Sequence, residues 1–261
     1  MSAVQSCLVF DIETVPDVEL GRRLLGLEGS DDMQVAEAML ARRAEETGSS
    51  FLPLEQHRIV AISTLLRSGD QLQCWSVGAV DSPEDDLLRR FFGGIDKLRP
   101  TLVSWNGSGF DLPVLHYRML RHGIASATYW DTGELDRDFR WNNYLNRYHA
   151  RHVDLMDVLS AYQARGKASL EHVSLLLGLP GKLGMGGEQV FEYWRAGRIA
   201  EIRAYCETDV LNTFLIWLRF ELIRGMLTPA EYASELARVR AWLGEREETH
   251  WRQYAAAWAG A

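Results

Sequence analysis

The sequence predicts an α/β fold, a sheet flanked by helices. Apolar runs rich in β-formers alternate with amphipathic stretches of helical period. Turn-forming Gly, Pro, Asn, Asp and Ser punctuate the boundaries between them. The 261 residues are 47% hydrophobic and 25% charged, the mixture of a chain that buries a core, which excludes a disordered, collagen-like or fibrous protein.

The first element is Cys7–Glu13 (CLVFDIE), which reads as a buried strand. Residues 14–57 break the pattern with Pro16, a Gly/Ser/Asp stretch and a helix over Met33–Glu46 whose Val35, Met39 and Leu40 form an apolar stripe, so this segment is an insertion after strand 1. Arg58–Arg67 and Leu72–Val77 are two strands joined by a Ser68-Gly69-Asp70 turn. Ser82 is the N-cap of a helix that starts with proline and acids at its positive end and runs to about Leu98. Thr101–Trp105 is a short strand, Asn106–Gly109 a glycine turn, and Asp111–Arg121 a helix. Residues 127–150 are aromatic and polar without a period, a long loop or second insertion before the third core helix. Helices follow at Asp154–Gln163 and Ser169–Leu177, then the glycine-dense loop 180–187, then helices over Val190–Gly197 and Ile199–Arg224 and one or two amphipathic helices over Pro229–Trp258. The reading is one domain over 1–261, with a core of about 6–226 and a helical tail over 229–261.

The formal charge is −8, which weighs against a protein that coats nucleic acid through a broad basic surface but not against one that grips phosphates through metal ions. The longest stretch free of Asp, Glu, Lys and Arg, Pro100–Phe110, is well short of the ~20 residues of a membrane span. The N-terminus lacks a basic segment before its apolar run, so it does not read as a signal peptide. Three cysteines at unrelated spacings give neither a disulfide framework nor a zinc cluster and fit a reducing cytoplasm.

Three acidic motifs carry the chemistry. In Phe10-Asp11-Ile12-Glu13-Thr14 the two acids share one face of the strand, about 6.6 Å apart at ~3.3 Å per residue. Unpaired they would repel, and a divalent cation held by hard oxygen donors would remove that cost; the alternative is a strand that ends at Phe10 with Asp11 capping a turn. The second motif delivers a strand to a glycine turn and opens a helix with Asp111, a residue favoured at helix starts in any case. The third, Tyr205-Cys206-Glu207-Thr208-Asp209, lies within the long helix. Ile202, Cys206, Val210, Thr213 and Trp217 define its buried face, and Tyr205 and Asp209 stack one turn apart at its edge. An ordinary alternative is an Asp209 bonded to backbone or to Arg203.

In this order the three motifs resemble those of the DEDD 3′→5′ exonuclease superfamily. Tyr205 four residues before Asp209, with Ala204 where another branch carries histidine, points to the tyrosine branch. The chain looks most like the stand-alone bacterial predicted 3′–5′ exonucleases related to the exonuclease domain of family B DNA polymerases, with further signatures in FLPLEQHRIVAIS (51–63), HVDLMDVLS (152–160) and GLPGKLGMGG (178–187). The resemblance implies an RNase-H-like mixed five-stranded sheet flanked by helices. It also implies two Mg²⁺ or Mn²⁺ ions held by Asp11, Glu13, Asp111 and Asp209, with Tyr205 orienting the attacking water. Tyrosine, with a reference pKa near 10, is a poor base at pH 7. Two ions roughly 3.5–4 Å apart suit phosphodiester hydrolysis.

Asn106, on the second motif, is a candidate for holding the terminal sugar or phosphate, and equally a turn residue. Phe110 is a candidate for base stacking, or a core residue. Lys182, in a glycine loop, is a candidate for contact with the scissile phosphate, or an ordinary surface lysine. Asp154 and Asp157 read as helix-cap acids, with a substrate role for Asp154 as the alternative. His149 and His152 lack the ligand spacing of a zinc site. Of the nine tryptophans most belong in the core, and Trp105 is the one beside the site.

The expectation is an exonuclease acting from the 3′ end of single-stranded DNA or a frayed 3′ end, releasing 5′-nucleoside monophosphates. Its alternatives are an exoribonuclease of the same fold and a catalytically silent nucleic-acid-binding scaffold. A membrane is not an expected partner. No polymerase domain fits beside the exonuclease, so a polymerase or repair partner would act in trans.

Overall fold

The structure, a computed structural model, describes residues 6–181 and 183–260. Strand β1 covers Cys7–Pro16 and is followed by helices α1 (Val18–Leu25) and α2 (Asp32–Thr47). Then come β2 (His57–Ser68), β3 (Gln71–Ser76), α3 (Glu84–Leu98), β4 (Thr101–Ser104), α4 (Asp111–His122), α5 (Ala127–Trp130), β5 (His152–Asp154) and α6 (Leu155–Leu159). The chain finishes with α7 (Leu170–Leu176), α8 (Val190–Arg195), α9 (Ile199–Ile223), α10 (Pro229–Gly244) and α11 (Thr249–Ala259). The strand order is β3-β2-β1-β4-β5. β1 pairs antiparallel to β2 and parallel to β4, β2 pairs antiparallel to β3, and β4 pairs parallel to β5. This is the mixed five-stranded sheet, flanked by helices, that the resemblance implies.

Alternation along β1 builds the two layers. Leu8, Phe10 and Ile12 face one way, into a cluster with Phe91, Phe92 and Ile95 of α3 and Leu112, Leu115 and Met119 of α4. Cys7 and Val9 face the other way, against Val210, Leu211 and Phe214 of α9. Asp11 and Glu13 continue this second face, so the strand that begins in the core under α9 ends in two acids beside that helix.

Several sequence expectations change in detail. β1 runs past Glu13 to Pro16, and α1 is an element the sequence reading lacked. Pro83, not Ser82, is the N-cap of α3; the Ser82 hydroxyl bonds Asp86 instead. Residues 127–150 are not simply a loop. They contain α5 and bury Tyr129, Phe139 and Tyr144 in the α3–α4 cluster, with Tyr144 donating from its hydroxyl to the Pro100 carbonyl at 2.7 Å. The expected helix over Asp154–Gln163 is only α6, because Ala161 (φ 50°) and Tyr162 (φ 59°) turn the chain out of helical space. α9 has no single buried face. Thr208–Leu218 are all buried, since α10 and α11 cover the side that the sheet leaves open. The buried pair Arg67–Glu235 (2.6 Å) ties β2 to α10.

Candidate active site

β1, β4 and β5 run parallel, and their carboxyl ends converge. Along β1, Asp11 pairs with Ser63 and Glu13 with Ala61, and the register slips between Glu13 and Thr14. That bulge falls beside Glu13, where it redirects the strand. Glu13 is buried and Asp11 half-buried. The Cys206 thiol of α9 lies 3.3 Å from Asp11 Oδ2, and ligand atoms of Asp11, Glu13 and Cys206 all lie within 4.8 Å of one another. Burial, then the two neighbouring carboxylates, pushes the Cys206 thiol well up, so it stays protonated.

Asp111 arrives from β4. Ser104 ends the strand and Asn106 turns the chain with φ 64°, a left-handed conformation that Asn tolerates better than other side chains. A Cβ on Gly107 would run into the Ser104 side chain, so the turn needs glycine there. The turn is held from β5: Asp154 Oδ1 accepts from Asn106 N–H (2.9 Å) and Oδ2 from Ser108 N–H (2.9 Å). The same carboxylate caps α6 through Met156 and Asp157 N–H. Asp111 then opens α4, fully within the fold, and its Oδ1 accepts from Ile12 N–H at 3.1 Å, between the two acids of β1. Burial pushes its pKa up to about 7, against the pull of that hydrogen bond.

Tyr205 and Asp209 come from α9 and both are buried, not at the edge of a face. The Tyr205 hydroxyl hydrogen-bonds the Asp209 carboxylate. Burial first, then the charges of Asp209, Glu13 and Asp11, pushes its pKa far up, so it stays a phenol and a donor. The structure therefore brings Asp11, Glu13, Asp111, Tyr205 and Asp209 together from three elements separated by up to 198 positions in the sequence.

The other singled-out residues separate. Asn106 sits on the turn next to this cluster, with Lys167 Nζ 3.5 Å from its Oδ1. Phe110 is half-buried and packs on the α3–α4 core. Its ring also lies against Phe51 (5.7 Å) and His57 (5.2 Å). Lys182 lies outside the described residues. Trp105 packs on the α9 core. Among the described residues, the one group of three or more His, Cys, Asp or Glu whose ligand atoms all lie within 4.8 Å of one another is Asp11, Glu13 and Cys206. Sequence reasoning missed His57, whose Nδ1 pairs with Thr14 Oγ1 at 2.8 Å just past Glu13. Burial holds that imidazole's pKa below its usual value, the Leu52 carbonyl opposing. It also missed Arg147 and Lys167, which meet Asp157 across 10 positions of sequence in either direction. Their only sequence signal was a run of basic and aromatic residues without a period.

Residues 49–258 match the family described as predicted 3′–5′ exonucleases related to the exonuclease domain of PolB. The match contains Asp111, Tyr205 and Asp209 and begins downstream of Asp11 and Glu13. No curated protein matches the chain.

Proposed function

Because the chain belongs to the family of predicted 3′–5′ exonucleases related to the exonuclease domain of PolB, we propose that it hydrolyses DNA from the 3′ end and releases 5′-nucleoside monophosphates. The observation that carries this reading is the convergence of four carboxylates and one phenol at the carboxyl ends of parallel strands, where α/β sheets place their ligands. Four acids crowded in a largely buried site are costly to ionise together, as the raised pKa of Asp111 shows, and cations offset that cost. Their donors are hard oxygens, which fit Mg²⁺ or Mn²⁺ held by Asp11, Glu13, Asp111 and Asp209. When bound, two such ions supply the positive charge that draws in the scissile phosphate, activates water and stabilises the leaving oxygen.

The chain's own residues do the positioning. Tyr205, kept neutral, presents its hydroxyl beside Asp209 and orients the attacking water. Asn106, fixed in the turn that Asp154 clamps, offers its amide to the terminal sugar or phosphate. The exposed part of Phe110 stands against the terminal base. The test is a 5′-labelled oligonucleotide series of single-stranded DNA, mismatched duplex, closed circle and RNA, each with Mg²⁺, Mn²⁺ or EDTA. A ladder shortening from the 3′ end, absent in EDTA, is expected. Rapid cutting of the circle would replace the exonuclease reading with an endonuclease, and a ladder from RNA alone would make the substrate RNA.

A further inference from the structure

Beside the second motif lies a surface that the chemistry above does not use. Asp157 of α6 is 3% exposed and holds two cations at once, Arg147 (2.7 Å) and Lys167 (3.3 Å). Both cations reach solvent, and Lys167 bridges from Asp157 to Asn106. The Arg147 guanidinium also lies over two tyrosine rings, Tyr148 at 5.8 Å and Tyr162 at 5.2 Å, and those rings meet edge to face at 5.0 Å. Tyr148 is 69% exposed. An aromatic ring so exposed contributes little to the core. Tyr162, with φ 59°, occupies a backbone conformation that a bulky residue rarely adopts, and the ring it turns toward Tyr148 is only half-buried.

Local charge points the same way. Residues 139–169 carry five basic and two acidic side chains, and both acids, Asp154 and Asp157, are buried. The face presented to solvent is therefore cationic in a chain of net charge −8. A cleft of about 350 Å³ lies between it and the turn of the second motif, lined by Ser108 and Gly109 on one side and Leu145, Arg147 and Lys167 on the other.

We infer that Arg147, Tyr148, Tyr162 and Lys167 form a docking track for unpaired single-stranded nucleic acid, receiving the nucleotides on the 5′ side of the one being removed. Cations spaced along an exposed aromatic pair match a strand that alternates phosphate and free base faces: Arg147 and Lys167 meet the phosphates and Tyr148 stacks on a base. A duplex, whose bases are already stacked, offers nothing to the rings. The inference rests on the nuclease reading for its direction along the strand, but the contact itself is testable without hydrolysis.

The experiment measures binding of a fluorescein-labelled dodecathymidylate to the full chain in EDTA, by anisotropy across a salt series. Tyr148→Ala, at an exposed ring, should weaken binding about 5- to 150-fold, the effect of removing one stacking platform. Lys167→Gln should lower the slope of log affinity against log salt by about 0.7. Arg147→Lys keeps a charge for Asp157 and removes the planar group over the rings, so it should weaken binding while retaining most of the salt slope. In a second arm with Mn²⁺, Tyr148→Ala should lower the ratio of kcat/KM for the dodecamer over that for the p-nitrophenyl ester of thymidine 5′-monophosphate, which is too short to reach the track. Wild-type affinity and an unaltered ratio in Tyr148→Ala would overturn the track and leave the nuclease reading standing. A wild-type protein that binds the dodecamer through Tyr148 but hydrolyses neither compound would support the track and overturn the nuclease reading.

Discussion

Asp154→Asn tests how the second motif is held. One carboxylate accepts four backbone N–H groups: Oδ1 takes Asn106 (2.9 Å), Met156 (3.1 Å) and Asp157 (3.3 Å), and Oδ2 takes Ser108 (2.9 Å). Asparagine fits the same space and keeps its one oxygen on the three-bond side. Its amide NH₂ then faces the Ser108 N–H, donor against donor. An orphaned donor costs about 1–3 kcal/mol, and the three remaining bonds lose the assistance of charge, roughly 1 kcal/mol more. The sum is about 2–4 kcal/mol. At about 2–4 °C per kcal/mol for a chain of this size, Tm should fall by roughly 4–16 °C. Because Asn106 and Asp111 ride on the freed turn, kcat/KM on single-stranded DNA should fall about tenfold even at temperatures where the variant is folded, a misplacement effect. Circular-dichroism melts and initial rates at 20 °C measure the two effects. Asp154→Ala, which strips all four acceptor contacts, should melt lower still. An Asp154→Asn protein melting within a degree of wild type would show that the carboxylate does not hold the turn.

Asp11→Asn and Asp209→Asn should each lower kcat at least ~10²-fold at saturating Mn²⁺, the scale of losing one group that stabilises developing charge; full activity in either purified variant would remove that residue from the site. Tyr205→Phe deletes one hydrogen bond to a charged or reacting group, worth about 1.5–3 kcal/mol, so kcat should fall ~10- to 150-fold and lie between wild type and Asp209→Ala; a rate equal to wild type would make Tyr205 a core residue. Burial pushes the pKa of both His116 and His152 down to about 4, while the unfolded chain takes up those protons near pH 6.5. The unfolded state then binds more protons between pH 6.5 and 4, so stability falls as pH drops through that window, and urea titrations should show His116→Gln losing less stability than wild type between pH 7 and 4.5. Parallel losses in the two proteins would refute the assignment. Arg67→Ala removes the closer cation of buried Glu235, leaving only Arg238 at 3.6 Å, and should cost about 3–5 kcal/mol, whereas Arg67→Met with Glu235→Leu should cost much less in the same denaturant assay.

Much of this was legible because the chain uses strong local signals. The alternation of Leu8, Phe10 and Ile12 against Val9, Asp11 and Glu13 gives both the strand and the shared face of its two acids, and the four-residue spacing of Tyr205 and Asp209 gives their adjacency. What escaped had weak or distant signals. β5 is three residues, His152–Asp154, too short for any period, and α1 is a single eight-residue helix whose burial depends on α2. The cap role of Asp154 on α6 was readable from its position, but its hold on Asn106 and Ser108 spans 48 and 46 residues and follows only from β4 lying beside β5. The all-round burial of α9 depends on helices that come later in the chain, so the apolar stripe alone gave too narrow a face.

Those later helices are joined to the site as well as to the sheet. The Tyr254 hydroxyl of α11 donates to Asn212 Oδ1 of α9 at 2.6 Å, and Asn212 Nδ2 donates to the Gly181 carbonyl at 3.0 Å, at the start of the glycine loop. On the same helix, His250 pairs with Glu207 (2.9 Å), which bonds Ser76 at the end of β3 (2.6 Å). A cleft of about 390 Å³ beside Tyr205 is walled by Met185 of that loop and by His250 and Gln253 of α11. The tail therefore fixes α9 from behind, orients through Tyr254 the Asn212 amide that holds one end of the glycine loop, and closes one side of the space next to the phenol. A segment that sequence reading placed outside the core thus packs beside Tyr205, and the family match, running to residue 258, covers all but the end of it.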